Sequence, residues 1–227
     1  LLNPMMQRPV VKQEIVDFMR QKQKQLTGPL GRIQKEANQR NVPIIPHETV
    51  VFLQFLFQQI KPKEILEIGT AIGFSAGLLA QSAPEDARIT TIDRFDVMIK
   101  EAKINFKTLD IEDKVTLLEG DAADILPTLK GPYDFIFMDS AKSKYIDFLP
   151  ECLRMLKKGG VIMIDDVFQA GTILQPIEEI PRSQRSIYRK LNLLFDKVLL
   201  HEDLTTSLLP LGDGVLLVTK EQDEVEL

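Results

Sequence analysis

Apolar residues in the middle of the chain fall in short, β-branched runs: Ile65–Ile68, Arg88–Ile92, Val115–Leu118, Phe135–Met138 and Val161–Ile164. Each run has the length of a strand and is too short for a helix. Between them the apolar spacing takes a helical period, over about Phe74–Gln81, Asp96–Leu109, Asp124–Leu129 and Tyr145–Leu156. Strands alternating with helices imply right-handed crossovers and a parallel sheet. The rhythm then changes to one long helix, about Ser183–His201, followed by Thr205–Leu211 and Val215–Thr219 around Gly212-Asp213-Gly214. So short a connection makes the last two strands antiparallel. The pattern predicts an α/β fold with a mostly parallel seven-stranded sheet and a C-terminal antiparallel hairpin.

Ahead of the sheet the spacing predicts helices over Val10–Leu26, Gly31–Arg40 and His47–Ile60, with Thr27-Gly28-Pro29 breaking the first from the second. Asn41-Val42-Pro43-Ile44-Ile45-Pro46 should be extended, because a proline disfavours αR in the residue before it. The expectation is one domain over 1–227, with a helical cap (1–60), a sheet core (61–220) and a frayed acidic tail, Glu221–Leu227.

Composition narrows the function classes. Hydrophobic residues make up 44% of the 227, enough for a sizeable core, and the net charge of −5 gives no global reason to bind nucleic acid. No apolar run approaches the ~20 residues that span a bilayer, and the N-terminus has no secretory pattern, so a cytoplasmic protein without a membrane partner is expected. A single cysteine, Cys152, excludes an intrachain disulfide and a thiolate cluster; its apolar helical setting points to packing. His47 and His201 lie far apart and neither suggests a catalytic group. No Gly-rich Lys-Ser/Thr loop supports phosphoryl transfer.

The candidate chemistry starts at Glu64–Ser75. Its strand runs through Gly69 and Gly73 into a helix, a turn that brings backbone N–H groups close to a ligand. The spacing is Gly-x-x-x-Gly rather than the dinucleotide fingerprint, and Glu67 at the strand end disfavours a pyrophosphate. An ordinary βα turn has the same glycines. Beyond it, acids stand at every strand end: Glu67, Asp93, Asp121, Asp139 and Asp165-Asp166. Singly, such residues are commonly turn formers or helix caps. Together they face the edge where α/β sheets bind ligands. Asp93 lies roughly 20 residues past the turn, where an acid reaches ribose hydroxyls, and Asp121 can accept from an exocyclic amine. That describes an adenosine site without a phosphate cradle. Asp139, Asp165 and Asp166 would repel one another unless a hard divalent cation such as Mg²⁺ lay among them. Lys142 follows as a compensating charge or a base.

These residues carry a resemblance. Leu66-Glu67-Ile68-Gly69-Thr70-Ala71-Ile72-Gly73-Phe74-Ser75, Asp139-Ser140-Ala141-Lys142-Ser143-Lys144-Tyr145, Asp165-Asp166 and Pro210-Leu211-Gly212-Asp213-Gly214 are similar to the metal-dependent class I S-adenosylmethionine O-methyltransferases, the catechol and caffeoyl-CoA group. The likeness runs from Val42 to Lys220 and implies a Rossmann-like methyltransferase fold. It implies S-adenosylmethionine held by Ile45, Glu67, Gly69, Ser75, Asp93, Asp121, Ala122 and Asp139. It further implies Mg²⁺ or another divalent cation on Asp139, Asp165 and Asp166, Lys142 as general base, and a homodimer. One departure is that the family usually has Asp-Asn where this chain has Asp165-Asp166.

Within that family the Asp-x-Ala-Lys-x-x-Tyr motif, Val42-Pro43-Ile44 and the Gly-Asp-Gly hairpin resemble members that methylate tRNA 5-hydroxyuridine at the wobble position. Arg182, Arg185 and Arg189 fall three and four residues apart, on one face of a helix that includes all three, and are candidate phosphate contacts. A solvated face offset by Glu178 and Glu179 has the same pattern. The alternatives are a small catechol or hydroxycinnamoyl acceptor and a non-catalytic cofactor-binding protein. Phe74, Tyr145 and Phe168 are candidates for either acceptor contact or packing.

Overall fold

The computed structural model describes residues 11–227. Val10, where the first helix was expected to begin, lies outside the described residues. The helices are α1 (Gln13–Lys22), α2 (Gly28–Gln39), α3 (His47–Ile60), α4 (Phe74–Ser82), α5 (Asp96–Thr108), α6 (Ala122–Ile125), α7 (Tyr145–Met155) and α8 (Arg185–Val198). The strands are β1 (Glu64–Ile68), β2 (Arg88–Asp93), β3 (Val115–Glu119), β4 (Tyr133–Met138), β5 (Leu156–Ile164), β6 (Leu204–Leu209) and β7 (Val215–Lys220).

They form one seven-stranded sheet in the order β3-β2-β1-β4-β5-β7-β6. The pairs from β3 to β5 are parallel, while β7 runs antiparallel to both β5 and β6. Side chains alternate across the strands, so the sheet buries both faces. Ile65, Ile89, Phe135, Phe137 and Met163 pack under α2–α5, with Phe57 meeting Phe135 edge-on at 4.8 Å between ring centres. Leu66, Ile68, Ile136, Met138 and Ile162 pack under α7 and α8. Cys152 sits in that second layer, fully buried. Among the described residues no helix is long and apolar enough to cross a membrane.

Several boundaries differ from the pattern, each for a local reason. The first helix stops at Lys22, because Gln25 Nε2 donates to the carbonyls of Arg20 and Gln23 and turns the chain out. The second begins at Gly28, three residues early, because proline is tolerated in a first turn. Only a short α6 and a 3₁₀ turn, Leu126–Thr128, form where one helix was expected. The last helix starts at Arg185 after a separate 3₁₀ turn, Arg182–Gln184. The tail is docked rather than frayed. Val225 and Leu227 pack on the second core layer, and the ring of His201 bonds to the Glu226 carbonyl at 2.8 Å.

Strand order reverses between β1 and β4, the switch point where open α/β sheets bind ligands beyond their carboxyl ends. A cavity opens there.

Candidate active site

Beyond β1 the chain folds back onto β2. Gly69 N and Thr70 N both donate to the Ile92 carbonyl, at 3.0 and 3.2 Å. Gly69 has φ +103, and a Cβ there would lie 2.0 Å from the Asp139 carbonyl oxygen, so only glycine fits between β1 and β4. Ala71, also at positive φ, donates its N–H to Asp93 Oδ2 at 2.8 Å. Asp93 Oδ1 takes the N–H groups of Arg94 (2.7 Å) and Phe95 (3.0 Å). Three backbone donors thus fix one carboxylate at the mouth of the cavity, with lone pairs left for hydroxyls.

That cavity has a volume of about 470 Å³ and is lined by Gly69, Asp93, Asp121, Ala122 and Asp139, all expected at the cofactor. A small adjoining hollow is lined by Ile45, Gly69, Ser75 and again Asp139. Glu67 lies fully buried beside them on β1. Thr91 Oγ1 donates to Glu67 Oε1 at 2.6 Å, while Oε2 has no hydrogen-bond partner. Burial raises the Glu67 carboxyl to about 8, against the hydrogen-bonding pull of Ser75 and Thr91 and with the help of the Asp139 and Asp93 charges. Asp121 is already engaged. Its Oδ1 caps α6 through Ala123 N (2.9 Å), and its Oδ2 pairs with Arg94 at 2.9 Å.

The second half of the site lies at the ends of β4 and β5. Burial, with repulsion from Asp166, raises the Asp139 carboxyl to about 7, and Lys142 opposes the shift. Burial, Asp166 and Asp139 push Asp165 well above the carboxylate range. Asp166 is at φ +55 and faces Lys142 at 3.7 Å. The charge of Asp166 thus bears on both buried acids. The three acids do not gather into a metal cage as placed: among the described residues no group of three or more His, Cys, Asp or Glu side chains has that arrangement. The donor chemistry nonetheless fits a hard cation. Two buried carboxylates are held toward their protonated forms, first by burial and then by the charge of Asp166, a state that a divalent charge would relieve.

Lys142 Nζ donates to Gln169 Oε1 at 2.9 Å and lies 3.5 Å from Asp213 Oδ2, a buried oxygen with no hydrogen-bond partner. Asp213 Oδ1 accepts from Ala170 N at 2.7 Å. Gln169 and Ala170 both have positive φ, so the loop after β5 is strained where it meets the lysine.

The family described as O-methyltransferase matches residues 23–221. The chain belongs to the O-methyltransferase family. Tapetum-specific methyltransferase 1 of Arabidopsis thaliana is 33% identical over 183 residues, 76% of each chain. The catechol O-methyltransferase of Mycobacterium tuberculosis is 35% identical over 124 residues, 54% of this chain and 56% of that one. Among solved structures, the SAH-bound methyltransferase PaMTH1 of Podospora anserina shares the fold at a TM-score of 0.83 and 24% identity, covering 93% of this chain and 97% of that one.

This O-methyltransferase also has site residues that sequence reasoning missed. Arg94, Phe95, Met98 and Phe148 line the cavity, on loops and helices with no motif to flag them. Gln169 and Asp213 reach Lys142 only through tertiary packing; the Gly-Asp-Gly hairpin was visible, the acid's partner was not. Of the three aromatic candidates, Phe74 and Tyr145 are buried in the core. Phe168 sits on the hairpin, its N–H bonded to the Asp213 carbonyl at 2.9 Å. The arginine row is broken by the start of α8. Arg185 bonds to the Ile180 and Glu178 carbonyls, whereas Arg182 and Arg189 are exposed.

Proposed function

We propose that the protein is an S-adenosylmethionine- and divalent-cation-dependent O-methyltransferase whose acceptor presents two adjacent oxygens, and that this acceptor is 5-hydroxyuridine at the tRNA wobble position. The observation that carries the reading is the position of Asp139. It lines both the adenosine-sized cavity and the adjoining hollow, and it lies within the electrostatic reach of Asp166 and Lys142. A methyl donor and an acceptor bound on its two sides would have their reacting atoms adjacent.

When bound, S-adenosylmethionine supplies an electrophilic methyl group on a sulfonium, and a divalent cation supplies Lewis acidity that lowers the pKa of an acceptor hydroxyl. The chain does the rest. Asp93, fixed by three N–H groups, takes the ribose hydroxyls. Gly69 permits close approach, and Phe95, Met98 and Phe148 give the cavity its apolar walls. Glu67 faces the cationic amino-acid portion. Asp139, Asp165 and Asp166 would hold the cation. Lys142 Nζ, oriented by Gln169, is the group placed to receive the acceptor proton.

For tRNA the support is the resemblance of the motifs, the exposed Arg182 just before α8 and the exposed Arg189 on it, α8 packing against the Lys142–Lys144 turn. A second reading, a catechol or hydroxycinnamoyl acceptor, is favoured by the names of the relatives, the M. tuberculosis catechol enzyme among them. A homodimer belongs to the same proposal, supported by exposed Phe18 and Phe55 on the adjacent helices α1 and α3. The test is labelled methyl transfer to both acceptor classes with Mg²⁺ or EDTA. Label in neither overturns the proposal.

A further inference from the structure

A row of buried hydroxyls stands behind Glu67. The parallel register places Thr91 of β2 directly beside Glu67 of β1. Both point into the apolar layer formed with Ile65, Ile89, Phe135 and Phe137. At such a position valine would fill the space of threonine without a polar atom to satisfy. Thr70, carried back over β2 by the glycine turn, completes the row. Its Oγ1 lies 2.6 Å from Thr91 Oγ1, which lies 2.6 Å from Glu67 Oε1. All three side chains are fully buried.

Each hydroxyl has one hydrogen. If Glu67 is ionised it only accepts, so Thr91 must donate to it, and Thr70 must donate to Thr91. The row therefore has a single direction and ends on a carboxylate. That carboxylate's other oxygen, Oε2, is buried with no hydrogen-bond partner, and Ser75, whose hydroxyl bears on the same carboxyl, lines the hollow.

We propose that Thr91, backed by Thr70, is a positioning residue that holds Glu67 as an ionised acceptor for the cationic amino-acid end of the methyl donor. The inference rests on the cofactor reading above. Packing alone does not account for two buried hydroxyls bonded in a chain that ends on one acid. A hydrogen bond from Thr91 also opposes the burial and the Asp139 and Asp93 charges, which favour the neutral acid.

The experiment is calorimetric titration of the metal-free protein with S-adenosylhomocysteine, and with 5′-methylthioadenosine, which lacks the amino-acid end. Thr91→Val should weaken S-adenosylhomocysteine by about ten- to a hundred-fold, the loss of one hydrogen bond to a charged group, and leave methylthioadenosine unchanged. Thr91→Ser, which keeps the hydroxyl and loses the methyl, should stay within about threefold of wild type. A packing role reverses that order, with Val neutral and Ser impaired, and so overturns the proposal; equal binding by Thr91→Val and wild type overturns it too. Should Thr91→Val not fold, Thr70→Val removes only the outer donor and should still weaken S-adenosylhomocysteine selectively. Wild type that binds neither ligand overturns the cofactor reading itself, a result distinct from failure of the hydroxyl row.

Discussion

Lys142 Nζ donates to Gln169 Oε1 at 2.9 Å, joining the turn after β4 to a strained loop after β5. The two residues are 27 apart in sequence, and the contact orients the Lys142 amine beside the carboxylates. Replacing Lys142 by methionine keeps the stem and removes the proton acceptor. The expected result is a kcat lower by about 10²–10⁴, the usual worth of a general base, with S-adenosylhomocysteine affinity unchanged. Gln169→Ala leaves the amine but frees its direction, so kcat should fall by a smaller factor. Steady-state kinetics beside equilibrium binding separates the two effects.

Gly214 and Phe168 form a lock between the hairpin and that loop. A Cβ on Gly214, which has φ +87, would stand 2.3 Å from the Phe168 ring. Gly214→Ala should cost about 2–4 kcal/mol from clash and backbone strain. For a chain of this size that lowers the melting temperature by roughly 4–16 °C. Adding Phe168→Leu should recover part of the loss. A double-mutant cycle showing no coupling would mean the ring does not bear on the hairpin.

Gly69→Ala acts on the cofactor side. The added methyl meets a backbone carbonyl, which cannot swing away as a side chain can. Binding of S-adenosylhomocysteine should be abolished and stability lowered by about 3 kcal/mol or more, measured by calorimetry and urea unfolding.

Glu67 predicts a pH dependence with a definite sign. Its carboxyl rises from 4.5 to about 8 in the fold. The ligand-free protein therefore gains stability from this group below the unfolded value, and that gain is lost as pH climbs through 8. Asp139 titrates in an overlapping range, so the quantity to measure is the difference between wild type and Glu67→Gln in urea unfolding from pH 5 to 9. The advantage of wild type should shrink with rising pH, by at most about 1.4 kcal/mol per pH unit. Affinity for S-adenosylhomocysteine should move the other way, rising from pH 6 to 8 as the acid ionises.

The layout of this fold was largely legible because burial on both faces of a parallel sheet leaves apolar runs between amphipathic helices. Ile65–Ile68 and Phe135–Met138 read as strands for that reason, and α3 was placed from His47 to Ile60 as found. Boundaries were lost where side chains set them, as at Gln25, and where three-residue turns replace helices. In the site, the acids stood out because each ends a strand. Their partners did not. Nothing local shows that Asp121 faces Arg94, that Thr91 faces Glu67, or that Gln169 and Asp213 converge on Lys142, since each pairing depends on register or packing between distant segments. The single helix expected to carry all three arginines was not found for a local reason: the chain after Pro181 forms a 3₁₀ turn before α8, so Arg182 lies outside the helix.

The most direct test of the central claim is transfer of labelled methyl from S-adenosylmethionine to tRNA carrying 5-hydroxyuridine, beside a panel of catechols, with Mg²⁺ or EDTA. The account predicts labelled tRNA, loss of label with EDTA, and loss again in Asp139→Ala. Labelling of catechols alone would contradict the acceptor, label that survives EDTA would contradict the cation, and no label on either substrate would contradict the proposed methyl transfer.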